Sequence, residues 1–197
     1  MKNLTLVVCD VQPDAAKKVG DSCRFVDLVD VAIRAARNSR TAAPIRIVHT
    51  MLQFPDSCYD SIPLSHPKLG ILRKLQAKNS QINWFTSSDL CIPAVENETV
   101  VSRTTFLPQA TDVDLLQAFR NSTTEDFAED QEFVVFGYGP TVQAVCNLLG
   151  DVIGAPKVRV LKECVGDENS ERCQAFLDHG LLFREEVTSL VDFLECK

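Results

Sequence analysis

Three polar residues of this sequence are placed where side chains could do chemistry. Asp10 and Arg103 each end a short hydrophobic run, and Gln143 follows a glycine-containing turn. A carboxylate can take up a proton or activate water. A guanidinium stays cationic and can hold an anion with two hydrogen bonds. The amide nitrogen of Gln143 is not a nucleophile, so these residue types indicate proton transfer or anion binding and no covalent step at that position.

The turn before Gln143 joins a buried strand to a helix. Residues 133–136 are all apolar, as in a strand that is buried on both faces of a parallel sheet. Two glycines then break the pattern, and apolar residues recur at helical spacing after Pro140, which suits a first helical turn. The free N–H groups of such a turn can bind an anion. We therefore expect Gly139, Pro140 and Thr141 to contact a small-molecule ligand.

Hydrophobic strands alternate with amphipathic helices along the rest of the chain. The predicted strands are 4–9, 45–51, 99–102, 133–136, 157–164 and 180–184. The predicted helices are 25–36, 68–78, a segment that begins at Thr111, 140–149, 169–179 and 185–194. This alternation predicts a three-layer α/β/α, Rossmann-like fold with a mostly parallel six-stranded sheet, in a single domain of residues 1–197. Asp10, Arg103 and the turn 137–143 then lie at one edge of the sheet and can converge.

Composition and charge exclude several classes of protein. The chain has 197 residues, 45% of them hydrophobic, and a net charge of −7, which is typical of a globular protein and unfavourable for binding nucleic acid. No segment reaches the roughly 18 apolar residues of a membrane span, and no signal peptide is recognisable. The eight cysteines include no C-x-x-C pair, so we interpret them as reduced thiols of a cytoplasmic protein.

Other residues with chemical potential have simpler interpretations. Gly137-x-Gly139 lacks the third glycine of a dinucleotide-binding turn and follows the fourth predicted strand, so no cofactor is expected. His49 and His66 supply too few ligands for zinc, so no metal site is expected, and we interpret both as surface or capping residues. Cys9 is expected in the core. Cys146 is either a buried core residue or a nucleophile displaced by one helical turn, and we favour the core.

The strand ends together resemble a known family. The first strand ends in Asp10 and continues Val-Gln-Pro-Asp, residues 92–103 lead to Arg103, and residues 133–145 run from a strand through a turn into a helix. These segments resemble the isochorismatase-like cysteine hydrolase superfamily, which includes isochorismatases, nicotinamidases and related amidases, from about Leu4 to Leu194. The resemblance implies the isochorismatase-like fold, a cis bond between Gly139 and Pro140, and a homo-oligomer.

The resemblance also implies a catalytic triad, and the sequence departs from it. Asp10 matches the family's acid, but Arg103 stands in place of the lysine and Gln143 in place of the nucleophilic cysteine. In the family an Asp usually follows the nucleophile at a set distance, and Glu163 lies at that distance from Gln143. This spacing supports the match of Gln143 to the position of the nucleophile. We expect Asp10 and Arg103 within ion-pair distance, which favours ligand binding or water activation over acid catalysis.

Two functions follow, and whether the protein is an enzyme stays open on the sequence alone. The first is a family member with a degenerate triad that binds a small anionic ligand or a partner without cysteine-hydrolase activity. The alternative is an active hydrolase of a small carboxylated amide or vinyl ether. In that case Asp10 would activate water or protonate the substrate, and Arg103 would hold the carboxylate.

Overall fold

The computed structural model describes residues 3–40, 45–53, 89–103, 113–120, 131–153, 158–179 and 183–185. The helix predicted at 68–78 lies outside these ranges, as does nearly all of the helix predicted at 185–194 and of the acidic connection 121–131; Glu185 itself belongs to a strand. None of the helices within the described ranges is both long and apolar enough to cross a membrane.

A parallel sheet forms the centre of the described structure. Its strands are β1 (Asn3–Cys9), β2 (Arg46–Leu52), β3 (Thr99–Arg103), β4 (Gln131–Tyr138), β5 (Val158–Gly166) and the three-residue β6 (Phe183–Glu185). The spatial order is β3-β2-β1-β4-β5-β6, and every pairing is parallel. The predicted α/β class and parallel sheet are confirmed. Strand order reverses between β1 and β4, which is where ligand sites form in such sheets.

Helices cover both faces of this sheet. They are α1 (Pro13–Ala16), α2 (Ser22–Arg37), α3 (Val113–Phe119), α4 (Gly139–Ile153) and α5 (Ser170–His179). The side chain of Asp21 caps α2 by accepting a hydrogen bond from the N–H of Arg24 at 3.1 Å. Buried residues of α2 pack on one face of the sheet, whereas α3 and α4 pack on the other. The layers are therefore those predicted from the alternating pattern.

Strand β1 lies at the centre and is buried on both faces. Leu4, Leu6 and Val8 point toward α2, whereas Val7 and Cys9 point toward α4. This alternation follows from the period of two in an extended chain. Burial on both faces explains why the strand is a continuous apolar run in the sequence. It also fixes the rotation of β1 and so the position of the residue that follows it.

The junction of β4 and α4 depends on Gly137. Its φ of 124° lies in the region that favours glycine, and a Cβ placed there would lie 2.2 Å from the carbonyl oxygen of Cys9. Helix α4 begins directly after β4, at Gly139, and the described residues contain no cis peptide bond. The prediction of a cis bond before Pro140 is therefore wrong. Proline in the first turn of a helix keeps a helical φ with a trans bond, and its missing N–H is not needed there.

Candidate functional site

Asp10 follows β1 in a backbone conformation that is uncommon for residues other than glycine. Its φ is 48°, and it is the one residue other than glycine with positive φ in the described part of the chain. The N–H of Asp10 donates a 3.1 Å hydrogen bond to the carbonyl oxygen of Thr50 on β2. The residue is only 1% exposed. This local conformation holds the carboxylate inside the protein at the carboxyl edge of the sheet.

Three side chains donate hydrogen bonds to the Asp10 carboxylate. Thr50 Oγ1 donates to Oδ1 at 2.8 Å, and Thr141 Oγ1 donates to Oδ2 at 2.6 Å. The guanidinium of Arg103 forms an ion pair with Oδ2, and its Nη2 also lies 3.3 Å from Thr141 Oγ1. We call Asp10, Thr50, Arg103 and Thr141 the strand-end cluster. The ion pair predicted from the sequence between Asp10 and Arg103 is confirmed.

The strand-end cluster joins four elements of the fold. Its members come from the ends of β1, β2 and β3 and from the first turn of α4. The ion-pair side chains are only 3% and 2% exposed, for Arg103 and Asp10 respectively. Charges at this depth are tolerated when they are paired and hydrogen-bonded, and removing one partner leaves the other uncompensated. The cluster therefore holds the strand ends together whatever else it does.

Gln12 fixes the loop after Asp10 to the end of β2. Its Nε2 donates to the carbonyl oxygen of Leu52 at 3.0 Å, and the N–H of Leu52 donates to its Oε1 at 2.9 Å. Gln53, which follows Leu52, donates its N–H to the carbonyl oxygen of Arg103 at 2.9 Å. The sequence presents Gln12 only as part of the Val-Gln-Pro-Asp motif. Its role was missed because its partner lies 40 residues further along the chain.

Gln143, which the sequence resemblance matched to the family's nucleophile, does not join the strand-end cluster. Its side chain is exposed, whereas Thr141 is buried. Two residues along an α-helix correspond to a rotation of about 200°, so the two side chains leave α4 on nearly opposite sides. The structure thus brings Asp10, Arg103 and Thr141 together, with Gly139 and Pro140 in the same helical turn. It leaves Gln143 outside.

Two cysteines on the α4 face of the sheet belong to the core. Cys9 and Cys146 are fully buried among apolar side chains on the α4 face of the sheet. Burial raises the pKa of Cys146 far above its usual value. Burial, with the nearby charge of Asp10, does the same to the pKa of Cys9. Both thiols are therefore protonated at neutral pH, and only a thiolate is a strong nucleophile.

The acid beside the first turn of α4 is Asp167, not Glu163. Glu163 is exposed in the irregular part of β5, where the pairing with β4 shifts register. Asp167 follows β5, and a Cβ placed on Gly139 would lie 2.9 Å from its Oδ2. Arg172 donates to both Asp167 oxygens, at 2.6 and 3.1 Å. Spacing along the sequence indicates Glu163, but β5 shifts its register against β4, and Asp167 is the acid that lies beside Gly139.

His49 lies in the interior, which corrects the expectation of a surface or capping residue. It is 1% exposed, and its Nε2 lies 2.9 Å from Oε2 of Glu98. His66 is outside the described residues. Within the described ranges, no group of three or more His, Cys, Asp or Glu side chains is arranged to hold a metal ion.

Comparison with known proteins identifies the fold. No protein-family model matches the sequence, and no curated protein matches it. The chain is similar in structure to an isochorismatase-like hydrolase from Alkaliphilus metalliredigens, with a TM-score of 0.63 and 14% identity over 98% of this chain and 99% of that one. A cysteine hydrolase from Pseudomonas syringae pv. phaseolicola has a TM-score of 0.65 and 13% identity over 98% and 92%.

A third similar structure has a different activity. The MAR1 ribonuclease from Caenorhabditis elegans has a TM-score of 0.57 and 15% identity over 98% of this chain and 81% of that one. TM-scores of 0.57–0.65 over nearly the whole chain establish a shared fold, whereas identities of 13–15% leave the activity undecided. The chain therefore has the isochorismatase-like fold that its strand ends predicted.

Proposed function

We propose that this protein is a non-catalytic relative of the isochorismatase-like cysteine hydrolases and works by binding a small anionic ligand or a partner. The observation that carries the proposal is the state of Asp10. Its carboxylate accepts hydrogen bonds from three side chains of the same protein and is 1% exposed. A general base must instead reach a water molecule or substrate within hydrogen-bond distance.

The position of the nucleophile supports the same conclusion. An exposed amide, Gln143, stands there, and an amide cannot form a covalent acyl intermediate. Cys146 lies on the same helix but faces the core and keeps its proton. Hydrolysis by a cysteine nucleophile requires a thiolate with access to the carbonyl carbon of the substrate. Neither Gln143 nor Cys146 provides one.

The expected ligand is an anion, because the cluster contains the cationic Arg103 and lies beside the first turn of α4, from which Thr141 joins it. A helix N-terminus attracts negative charge, and α4 has fifteen residues. Arg103 is already paired with Asp10, so an anion at this edge has to compete with Asp10 for the guanidinium. Binding should consequently be weak for a monoanion and stronger for a ligand with two acidic groups.

Hydrolysis without a cysteine is the competing function. It requires that Asp10 be released from Thr141 and Arg103 so that one oxygen can activate water. Each of these hydrogen bonds to a charged group contributes on the order of 1.5–3 kcal/mol. Release is therefore costly, and for this reason we favour binding over turnover.

The first arm of the experiment measures turnover. The unmodified protein is incubated with a panel of amides, vinyl ethers and an RNA oligonucleotide, the last because one structural neighbour is a ribonuclease. We expect no product above the protein-free blank. Product formation that disappears in Asp10→Asn but persists in Gln143→Ala would overturn the proposal, because it would show that Asp10 acts on a substrate.

The second arm measures binding by thermal shift, with phosphate, benzoate and succinate as probes. A ligand that binds only the folded protein raises its Tm as its concentration increases. We expect a rise with succinate that is lost in Arg103→Met and kept in Gln143→Ala. A Tm that responds to none of these anions, or responds equally in Arg103→Met, would contradict anion binding at the strand-end cluster.

A further inference from the structure

A second buried group of charged side chains lies away from the strand-end cluster. Glu98 immediately precedes β3, His49 lies in β2, and Arg37 is the last residue of α2. The side chains of Glu98 and His49 are 3% and 1% exposed. These three residues connect the start of an outer strand to the neighbouring strand and to the helix that covers them.

Glu98 is the centre of this group. Arg37 donates from Nε to Oε1 at 2.7 Å and from Nη2 to Oε2 at 2.9 Å, and the N–H of Val95 donates to Oε2 at 3.2 Å. Burial by itself raises the pKa of Glu98, but the hydrogen bonds from Arg37, His49 and Val95 outweigh it and lower that pKa to about 2. Glu98 is therefore ionised at neutral pH and can only accept hydrogen bonds.

The ionised state of Glu98 fixes the proton on His49. Since Glu98 Oε2 is an acceptor, the His49 Nε2 that lies 2.9 Å away must carry a hydrogen. A second proton can then enter only at Nδ1 of the buried ring. The charged groups that face His49 are Glu98 at the start of β3, which favours this proton, and Arg37 on α2, which opposes it.

We propose that Arg37, His49 and Glu98 form an acid-sensitive latch that holds residues 93–98 and the start of β3 against α2 and β2. Arg37 contacts this segment twice, because its Nη2 also donates to the carbonyl oxygen of Pro93 at 2.8 Å. Protonation of His49 places a second cation beside Arg37 in a buried site. This second positive charge costs less free energy when residues 93–98 have moved away, because water can then solvate the charged side chains.

The direction of the pH effect follows from the folded-state pKa of His49. Burial lowers this pKa below its usual value near 6.5, and the hydrogen bond to Glu98 only partly opposes the effect. The folded latch is therefore fully stable above the unfolded-state pKa, and its stability is lost as the pH falls below that value. Because β3 ends in Arg103, opening of the latch also loosens the strand that supplies the cation of the strand-end cluster.

Hydrogen exchange measured by NMR tests the latch. Protection of the β3 amides, corrected for intrinsic exchange rates, is compared with that of β5 between pH 7.5 and 5.5. For the unmodified protein we expect β3 protection to fall by up to about tenfold for each pH unit below 6.5, with a smaller change in β5. His49→Gln keeps a side-chain donor but cannot titrate, so its β3 protection should not depend on pH in this range.

His179→Gln, a histidine substitution on α5, is the matched control and should behave like the unmodified protein. Equal pH dependence of β3 in His49→Gln and the unmodified protein would overturn the proposal. If His49→Gln does not fold, NMR titration of the His49 ring in the unmodified protein decides. A ring pKa below 6.5 supports the latch, and a value of 6.5 or above rejects it.

Discussion

The hydroxyl of Thr141 donates a 2.6 Å hydrogen bond to Oδ2 of Asp10, a residue 131 positions earlier in the chain. Thr141 lies two residues before Gln143, yet it is the residue that α4 directs into the sheet edge. The buried carboxylate of Asp10 is thereby bound by the protein's own side chains. This relationship is the structural basis of our proposal that the strand-end cluster binds a ligand without catalysing a reaction.

Thr141→Val tests the energetic contribution of this hydrogen bond. Valine has the shape of threonine but cannot donate, so Asp10 loses one partner in a buried site. We expect the free energy of unfolding, measured by urea denaturation, to fall by about 1–3 kcal/mol. Gln143→Ala, an exposed substitution on the same helix, should change it by less than about 0.5 kcal/mol. Equal effects of the two substitutions would argue against a stabilising role for Thr141.

The thiols should differ sharply in reactivity. Cys23 is exposed, whereas Cys9 and Cys146 are buried with raised pKa values. Iodoacetamide should therefore alkylate Cys23 in the folded protein and leave the other two unmodified until the protein unfolds. Peptide mass spectrometry after a timed reaction measures this, with Cys23→Ser as the control for assignment. Rapid alkylation of Cys146 in the folded protein would instead support the alternative that Cys146 is a nucleophile displaced by one helical turn.

Two glycines should respond oppositely to alanine. Gly137 has a φ of 124° and no room for a Cβ beside Cys9, so Gly137→Ala should destabilise the protein by about 3 kcal/mol or more. Gly150 lies within α4, and nothing lies within 4 Å of a Cβ placed there. Gly150→Ala should be neutral or stabilising by up to about 1 kcal/mol. Thermal denaturation of both variants checks the pair, and a neutral Gly137→Ala would contradict the observed junction of β4 and α4.

Glu98 should contribute to a further loss of stability in acid, below the range in which His49 titrates, as far as Arg37 stays bound to it. Its folded-state pKa of about 2 is lower than the usual value of 4.5, so its contribution is complete above pH 4.5 and lost as the pH falls toward 2. A shift of this size corresponds to about 3 kcal/mol. Denaturation from pH 5 to 2 should show this loss in the unmodified protein and in the exposed control Glu96→Gln. An identical loss in Glu98→Gln would assign it to other carboxylates.

The sequence by itself determined the parallel α/β architecture and the meeting of Asp10 with Arg103. Continuous apolar runs such as residues 4–9 are typical of strands buried on both faces, and parallel strands require helical crossovers. Once the strands are parallel, their carboxyl ends share one edge. Asp10 follows β1 and Arg103 ends β3, with only β2 between these strands, so the two side chains can meet at that edge although 93 residues separate them.

Only the tertiary structure decided which side chains complete that edge. The rotation of α4 about its axis is set by how its apolar residues pack on the sheet, and this rotation turns Thr141 inward and Gln143 outward. The sequence also does not reveal the hydrogen bonds between Gln12 and Leu52, or those among Arg37, His49 and Glu98. Their hydrogen bonds join residues 40 to 61 positions apart, and no local periodicity or spacing records such contacts. A side chain's partner across the fold is fixed by packing distances that exist only after the chain has folded.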